Sequence, residues 1–501
     1  MKKSFIFSGF LAATFLLASC SAKYESEPTS PGMDSYNDMY GEQMEPVQSG
    51  DNFEDFTDNP FINASEHPQS TFSVDADGAS YAYMRACLNS KYASRPYVSA
   101  VRIEEYLNYF TFDYADPTDG EDVAINGEVG TCPWNSEHRL MRLGIKGKSV
   151  AEEDMPTANF VFMVDVSGSM YSDDKLPLLK DGLVELVTHM RPEDRIAIVK
   201  YADGEEVILP STPCSQSQTI IAKIKELESG GATSGSRALE MAYEQAQQNF
   251  IEGGNNRIII GTDGDWNVGV TSIDGLLEIV EAHAQDGIYM SVCGFGRGNL
   301  NDAMMEKISN AGNGTYTYID CEEEMMKVFC YERSNMLSVA SDAKIQITFD
   351  TNYVAQYRLI GYENRVMKNE DFFDDTKDAG EIGAGQTITA LYEIVPRTDG
   401  LMSGWDIDAR VATFDFRYKQ VLGAESIPYV LDVDRWVGNS SENLNFAAGV
   451  AAYGMLLRKS PYAGNATFEM AADLVQQNST FDPHGYRAQL HDLIIKAAEL
   501  K

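Results

Sequence analysis

Asn159–Met170, NFVFMVDVSGSM, combines a short apolar run with an abrupt change to small polar residues. The run Phe160–Val164 is rich in residues that favour β-structure, which is typical of a central parallel strand buried on both faces. The turn that follows places a carboxylate, Asp165, and two hydroxyls, Ser167 and Ser169, at alternate positions. Ligands of open α/β sheets bind just beyond the carboxyl ends of such strands. Because oxygen donors without nitrogen or sulfur favour Mg²⁺, Mn²⁺ or Ca²⁺, this turn is a candidate cation site.

Two later segments extend the pattern of this turn. Gly230-Gly231-Ala232-Thr233 offers a hydroxyl, and Thr262-Asp263-Gly264 offers a carboxylate directly after a second apolar strand, Arg257–Gly261. In this order the three segments resemble the loops of the von Willebrand factor type A (VWA) domain, whose D-x-S-x-S signature forms a metal-ion-dependent adhesion site. The resemblance implies that Mg²⁺, with Mn²⁺ or Ca²⁺ as alternatives, is held by Asp165, Ser167, Ser169, Thr233 and Asp263.

Asp265 and Trp266 lie just past the third loop and are predicted to form the rim on which a partner binds. Trp266 is an interface anchor in one interpretation, because aromatic side chains dominate binding hot spots. In the other interpretation it caps the local core, and the sequence leaves both open.

Strand and helix patterns alternate from residue 156 to residue 333. This alternation predicts an α/β, Rossmann-like domain, with a mostly parallel sheet and helices on both faces. The predicted strands are Phe160–Asp165, Arg195–Tyr201, Glu206–Leu209, Arg257–Thr262, Ile288–Gly294 and Thr315–Ile319.

After residue 333 the apolar pattern changes to a period of two, most clearly in Lys344–Phe349. This period predicts a β-sandwich module over residues 334–430, with Glu370–Gly385 as a loop. Residues 431–501 return to a helical pattern and are predicted to form a small C-terminal helical region.

Strands are also predicted before the VWA domain, within an N-terminal region that spans residues 67–155. We hypothesise that Ala124–Ile145 and Lys344–Tyr418 join in one β-sandwich, into which the VWA domain is inserted. Placement of the two segments in unrelated sheets would contradict this hypothesis.

Outside the central domain, five segments carry a further family pattern: Phe72–Asp75, Arg102–Phe110, Leu359–Arg365, Asp378–Gly385 and Thr389–Glu393. Together they resemble the bacterial YfbK-type family. That family comprises exported proteins with their own N-terminal region, a VWA domain and a C-terminal domain of unknown function. One local departure is Trp266, where the resemblance leads us to expect Phe.

The start of the chain has the pattern of an export signal. Lys2 and Lys3 precede the mostly apolar stretch Phe5–Leu17, which is too short for a membrane span. Leu17-Ala18-Ser19-Cys20 resembles the bacterial lipobox, so residues 1–20 are predicted to be a lipoprotein signal peptide and Cys20 the lipidated residue. The alternative is an ordinary signal peptide with an unrelated cysteine.

Residues 21–66 are strongly acidic and are predicted to form a disordered tether, with order beginning near Thr71. Phe53, Phe56 and Phe61 mark a docking segment in the alternative interpretation. The formal charge of the whole chain, −37, argues against nucleic acid and anionic membrane surfaces as partners.

Beyond Cys20 the chain has six cysteines, which allow 15 disulfide pairings. Cys293 lies in an apolar strand pattern and is expected to be buried without a pairing role. Cys321 and Cys330 are near enough in sequence to pair, although a helix between them makes a bridge awkward.

The sequence favours a binding protein over an enzyme, because it contains neither a P-loop nor a nucleophile elbow. We predict a metal-dependent adhesion or scaffold module, lipid-anchored in the bacterial cell envelope at the outer membrane or a periplasm-facing membrane. Its VWA domain would bind an exposed carboxylate of a protein partner. The alternatives are an envelope-assembly protein with an incidental metal and a metal-assisted hydrolase.

Overall fold

The computed structural model describes residues 50–500 except 76, 233–236, 265–272, 378, 398–409, 421–424 and 435–438. No helix within these residues is long and apolar enough to cross a bilayer. The strands are β1 (Ile62–Asn63), β2 (Gln69–Ser73), β3 (Val123–Thr131), β4 (Arg139–Gly147), β5 (Ala158–Asp165), β6 (Arg195–Tyr201), β7 (Glu205–Pro213), β8 (Asn255–Thr262), β9 (Ile288–Phe295), β10 (Tyr316–Ile319), β11 (Ser338–Phe349), β12 (Val354–Ile360), β13 (Val366–Met367), β14 (Gly380–Gly383), β15 (Thr387–Pro396), β16 (Arg410–Lys419) and β17 (Ile427–Asp434). The helices are α1 (Ala79–Asn89), α2 (Ile103–Asn108), α3 (Leu176–His189), α4 (Ser217–Lys225), α5 (Ala238–Gln248), α6 (Ile273–Gln285), α7 (Asp302–Ala311), α8 (Glu322–Met326), α9 (Glu442–Arg458), α10 (Phe468–Gln477) and α11 (Tyr486–Glu499).

The central domain is a six-stranded sheet with the order β10-β9-β8-β5-β6-β7. β5 runs parallel to both of its neighbours, while β7 at the edge is antiparallel to β6. Val161 and Met163 of β5 pack in a cluster with α5, α6 and α7, whereas Phe162 and Val164 pack in a cluster with α3 and α4. Successive side chains of a strand point to opposite faces, so β5 is covered by helices on both sides. The predicted α/β fold is confirmed.

The strands before and after the central domain form one β-sandwich. One sheet has the order β1-β12-β15-β4-β3 and the other β13-β2-β11-β16-β17, with β14 added to β11. β4 pairs with β15 along Arg139–Lys146, and the apolar side chains of both sheets share one core. The central domain is therefore inserted between β4 and β11, as the hypothesis of a shared sandwich requires.

Helices from both ends of the folded chain share a third core. α1 and α2 pack with α9, α10 and α11 in a cluster that contains Tyr81, Tyr106, Phe446 and Leu490. The opposite face of α1 packs on the central domain through residues such as Tyr83. Residues 67–155 are therefore not a separate module, because their strands lie in the sandwich and their helices complete the C-terminal helical layer.

The predicted tether is wrong for residues 50–66, which belong to the fold. The Phe53 ring lies 4.8 Å from that of Tyr83, and the Arg458 guanidinium lies 3.9 Å from the Phe56 ring centroid. β1 in the same segment pairs with β12. These phenylalanines dock on the protein itself. The acidic composition of the segment as a whole does not reveal such contacts of single residues. The earlier part of the tether, the signal peptide and Cys20 lie outside the described residues.

The structure tests three further sequence predictions, which concern the loop Glu370–Gly385, the start of the helical region and the cysteines. Glu370–Gly385 is not entirely a loop, because it contains β14, which pairs with β11. The helical region begins after residue 431, since β17 extends to Asp434 and α9 starts at Glu442. The six cysteines among the described residues are free, and Cys293 is buried as expected.

Buried charges hold α2 against the central domain. Arg102, which precedes α2, forms ion pairs with Glu105 and, on α7, with Asp302 at 2.6 Å and Glu306 at 3.3 Å. Neither carboxylate oxygen of buried Glu104 has a hydrogen-bond partner among the residues that the structure describes. Burial raises the pKa of Glu104 to about 8 and that of Glu105 to about 7.

These raised pKa values predict that the free energy of unfolding falls as the pH rises from about 5 to about 8. A carboxyl whose pKa is higher in the folded state binds more protons in that state than in the unfolded state. Its contribution to the free energy of unfolding is therefore full at pH values below the pKa of the unfolded state, and it is lost as the pH rises through the pKa of the folded state. Glu104→Gln removes the ionisable group at nearly constant shape. We expect this variant to lose less stability over that range than the wild type, by on the order of 1–3 kcal/mol.

Urea unfolding at both ends of the pH range measures this difference. Glu499→Gln, an exposed change at the end of α11, is the matched control and should retain the pH dependence of the wild type. An equal loss of stability in Glu104→Gln and the wild type would contradict the prediction.

Candidate metal centre

Asp165 ends β5 at the centre of the sheet and is fully buried. Its Oδ1 accepts a hydrogen bond from the Ser167 backbone N–H at 2.8 Å, and its Oδ2 accepts one from Thr262 Oγ1 at 3.1 Å. Burial, with a smaller contribution from the charge of Asp263, raises the pKa of Asp165 to about 6. The carboxylate is thus oriented from both sides, and a positive charge nearby would favour its ionised form.

The first and second loops are fastened to each other by backbone hydrogen bonds. Gly168 N–H donates to the Gly231 carbonyl at 3.0 Å, and Gly230 N–H donates to the Val166 carbonyl at 2.8 Å. Gly231 has φ +82°, and a Cβ at this position would lie 2.3 Å from Asp203 Oδ2, so the turn requires glycine. This turn leads directly towards Thr233, which lies outside the described residues.

The two serine hydroxyls of the first loop lie together, with Ser167 Oγ 3.0 Å from Ser169 Oγ. Ser167 is buried, whereas Ser169 is partly exposed. A hydroxyl pair at this spacing presents two neutral oxygen ligands beside the carboxylate of Asp165, and its partial exposure leaves a path from solvent.

Asp263 follows β8, the direct neighbour of β5, and is fully buried. Its Oδ2 accepts a hydrogen bond from Lys175 Nζ at 2.8 Å, while its Oδ1 has no partner among the described residues. Lys175 Nζ also donates to the Ser169 carbonyl at 3.1 Å and to Asn299 Oδ1 at 3.2 Å. The ammonium therefore connects the first loop with the third.

Lys175 was not predicted from the sequence. The available signal was its position, since it is the basic residue that follows Asp173 and Asp174 immediately before α3. A single lysine in a loop has no periodicity, and its buried pairing with Asp263 appears only in the fold.

The donors that meet at this edge of the sheet fit a hard divalent cation. They are carboxylate and hydroxyl oxygens, and the unpartnered Oδ1 of Asp263 is a buried acceptor for which a cation would compensate. Asp165, Ser167, Ser169 and Asp263 are the described residues that could hold it. Asp265 and Trp266 lie outside the described residues, so the predicted rim stays a prediction.

Family models match three parts of the chain. Residues 160–265 match the von Willebrand factor type A domain, residues 334–500 match "Uncharacterized protein YfbK, C-terminal", and residues 47–142 match "von Willebrand factor". Uncharacterized protein YfbK of Escherichia coli (strain K12) is 38% identical over 463 residues, which cover 88% of this chain and 80% of that protein. The chain belongs to the YfbK family. The resemblance noted in the sequence is thereby confirmed.

Solved structures similar to this YfbK-family chain include a von Willebrand factor type A protein from Catenulispora acidiphila. It is 15% identical, with a TM-score of 0.43 and coverage of 75% of this chain and 90% of that one. The ArnB paralog VWA2 from Sulfolobus acidocaldarius is 12% identical, with a TM-score of 0.39 and coverage of 75% and 96% respectively.

Lys175→Met tests the buried ion pair of this YfbK-family chain. The variant leaves Asp263 buried without its cationic partner, so we expect the free energy of unfolding in EDTA to fall by about 3–5 kcal/mol. Chemical unfolding followed by circular dichroism measures the change.

Lys180→Met, on α3 just after Lys175, is the matched control. Lys180 Nζ donates to the carbonyl oxygens of Lys225 and Leu227 at 3.0 and 2.6 Å, and Lys180 is partly exposed whereas Lys175 is buried. We expect it to cost about 1 kcal/mol. Equal losses in the two variants would show that Asp263 does not depend on Lys175.

Proposed function

We propose that this protein is a metal-ion-dependent protein-binding module of the cell envelope, in which the VWA domain binds an acidic group of a partner. The VWA domain makes the chain an interaction or adhesion module in general terms. The observation that carries the finer proposal is the convergence of oxygen donors beyond β5 and β8, with Asp263 Oδ1 left without a partner among the described residues.

Asp165, Ser167, Ser169 and Asp263, with Thr233 from the second loop, are the proposed ligands. Mg²⁺ requires six oxygens in octahedral geometry and usually retains several waters. Five side chains, some of them acting through water, leave a position for a partner ligand. When bound there, Mg²⁺ supplies the positive charge for a charge-assisted bond to a carboxylate. Mn²⁺ and Ca²⁺ are the alternatives because they also prefer oxygen.

The residues around the site have separable roles in this proposal. Thr262 and the Ser167 backbone orient Asp165, and Lys175 balances the charge of Asp263 so that two buried carboxylates are tolerated. Asp165 and Asp263 are thus occupied in binding and orientation. We propose a binding role without turnover, because none of these side chains is left to act as a general base.

The proposal includes a lipid anchor at Cys20, with residues 21–49 as the acidic link between lipid and fold. The support for it is the lipobox resemblance at residues 17–20. The membrane contact would be made through the lipid, since the chain carries a formal charge of −37. The same charge favours a protein partner over nucleic acid.

Mn²⁺ is a suitable probe of the site because the relaxation of water protons reports waters bound to it. We expect the untagged wild type to bind Mn²⁺ with exchangeable water and acetate to lower the relaxation enhancement as a carboxylate displaces that water. Asp165→Ala should weaken Mn²⁺ binding at least about tenfold, because it removes a charged ligand. Asp181→Ala, an exposed change on α3, should leave it unchanged.

Each outcome of this titration bears on the proposal. Equal Mn²⁺ affinity in the wild type and Asp165→Ala would show that Asp165 is not a ligand of the cation. Unchanged relaxation in acetate would overturn the idea of a coordination position open to carboxylates.

Capture from envelope extract tests the partner. We expect a protein to be retained by the wild type in Mg²⁺ and to be lost both in EDTA and with Asp165→Ala. Asp181→Ala should retain it. Retention of the same protein under all conditions would place the binding surface away from β5 and leave any cation without a role in recognition.

A further inference from the structure

A second set of ligand-type side chains lies at the opposite end of α3. Glu185 and His189 are one helical turn apart in the last part of α3, and Cys330 lies in the π-helical turn Lys327–Tyr331. Cys330 Sγ is 3.7 Å from His189 Nδ1, and Glu185 Oε1 is 3.6 Å from the same nitrogen. The three ligand atoms all lie within 4.8 Å of one another.

The two distances from His189 Nδ1 are close to the edges of a zinc coordination tetrahedron. Zn–S distances of about 2.3 Å and Zn–N and Zn–O distances of about 2.0–2.2 Å give edges of roughly 3.4–3.6 Å at the tetrahedral angle. The observed 3.7 Å and 3.6 Å need only small movements to reach these values. The ligand atoms of Cys330 and Glu185 lie within 4.8 Å of each other, and zinc would draw them to the same edge length. Thiolate, imidazole and carboxylate are also the three side-chain groups that zinc prefers.

A catalytic dyad does not explain the same contacts. A histidine that relays a proton from cysteine to a carboxylate must use its two ring nitrogens, one for each partner. Here the sulfur and the carboxylate both approach Nδ1, so His189 lies beside a common point and not between two groups. Convergence of three ligands on one point is the arrangement of a metal site.

The setting of the cluster leaves room for a further ligand. His189 is exposed, and Glu185 and Cys330 are partly exposed, so solvent reaches the point between them. Met326 Sδ lies 4.0 Å from Cys330 Sγ. π-helical turns are uncommon and occur frequently at functional sites, and this one gives Cys330 its position against α3.

We propose that Glu185, His189 and Cys330 bind Zn²⁺, with water as the fourth ligand. On binding, the Cys330 thiol releases its proton to solvent and the thiolate forms the Zn–S bond. His189 Nδ1 gives up its contacts with the Glu185 carbonyl at 3.0 Å and with Thr188 Oγ1 at 3.2 Å, and the other ring nitrogen carries the proton. The site is separate from the proposed adhesion site, because it lies at the other end of α3 and adds a soft thiolate and an imidazole nitrogen to its oxygen ligands.

Zinc at this site would fasten the end of α3 to the segment that leads back into the sandwich. Because the α3 end and the turn are separated by more than a hundred residues, the ion would act as a crosslink between distant parts of the chain. Binding to the folded state alone stabilises that state, so the melting temperature should rise with zinc concentration.

Cobalt and zinc titrations of the untagged, reduced full chain test the proposal, in excess Mg²⁺ to saturate the adhesion site. We expect one Co²⁺ per chain with a thiolate-to-cobalt charge-transfer absorption, displaced by Zn²⁺. Cys330→Ser should abolish the charge-transfer band. His189→Ala should weaken Zn²⁺ binding at least about tenfold, measured by competition with a chromogenic chelator.

Cys321→Ser is the matched control, because Cys321 is also partly exposed but lies outside the cluster. It should keep the band, the zinc affinity and the zinc-dependent rise in melting temperature. Circular dichroism and melting in EDTA confirm that the variants are folded. Cobalt binding without thiolate absorption, or equal zinc affinity in His189→Ala, Cys330→Ser and the wild type, would overturn the proposal.

Discussion

Burial of β5 on both faces is the constraint on which the rest of the structure depends. A strand covered by helices on each side must be apolar along its length, so its polar residues begin where it ends. Asp165 is therefore fixed at the carboxyl edge of the sheet. The neighbouring strand β8 ends at the same edge and brings Asp263 beside it. The oxygen-rich site follows from the register of these two strands.

The sandwich and the helical layer hold the central domain in place. β4 and β15 close one sheet across the insertion, and α1 packs on the central domain with one face and on the C-terminal helices with the other. The junction between α2 and the central domain is rich in buried charge, because Arg102 forms ion pairs with acidic residues from two parts of the chain. Such pairing favours one arrangement of α2 and α7, since a displaced carboxylate would be buried without a partner.

The sequence predicts the features that depend on local pattern. Alternating apolar runs indicate the central sheet, the period of two indicates the sandwich, and polar residues at strand ends indicate Asp165, Ser167, Ser169 and Asp263. Features that depend on distant partners are missed. The sequence of residues 50–66 has the composition of a linker, and only the fold shows that Phe53 contacts Tyr83 and that Phe56 contacts Arg458. Lys175 and the cluster around Cys330 are missed because Lys175 and Cys330 find their partners in other segments of the chain.

The insertion between β4 and β11 also determines how the molecule carries mechanical load. β4 belongs to one sheet of the sandwich and β11 to the other, so a pull on the loops beyond β5 reaches both sheets at once. Each of the two strands is hydrogen-bonded to neighbours on both sides, β4 to β3 and β15, and β11 to β2 and β16. Pulling either β4 or β11 out along its length would break the hydrogen bonds to both of its neighbouring strands at the same time. A tensile force would thus be divided between two central strands, and neither edge of the sandwich would bear it alone.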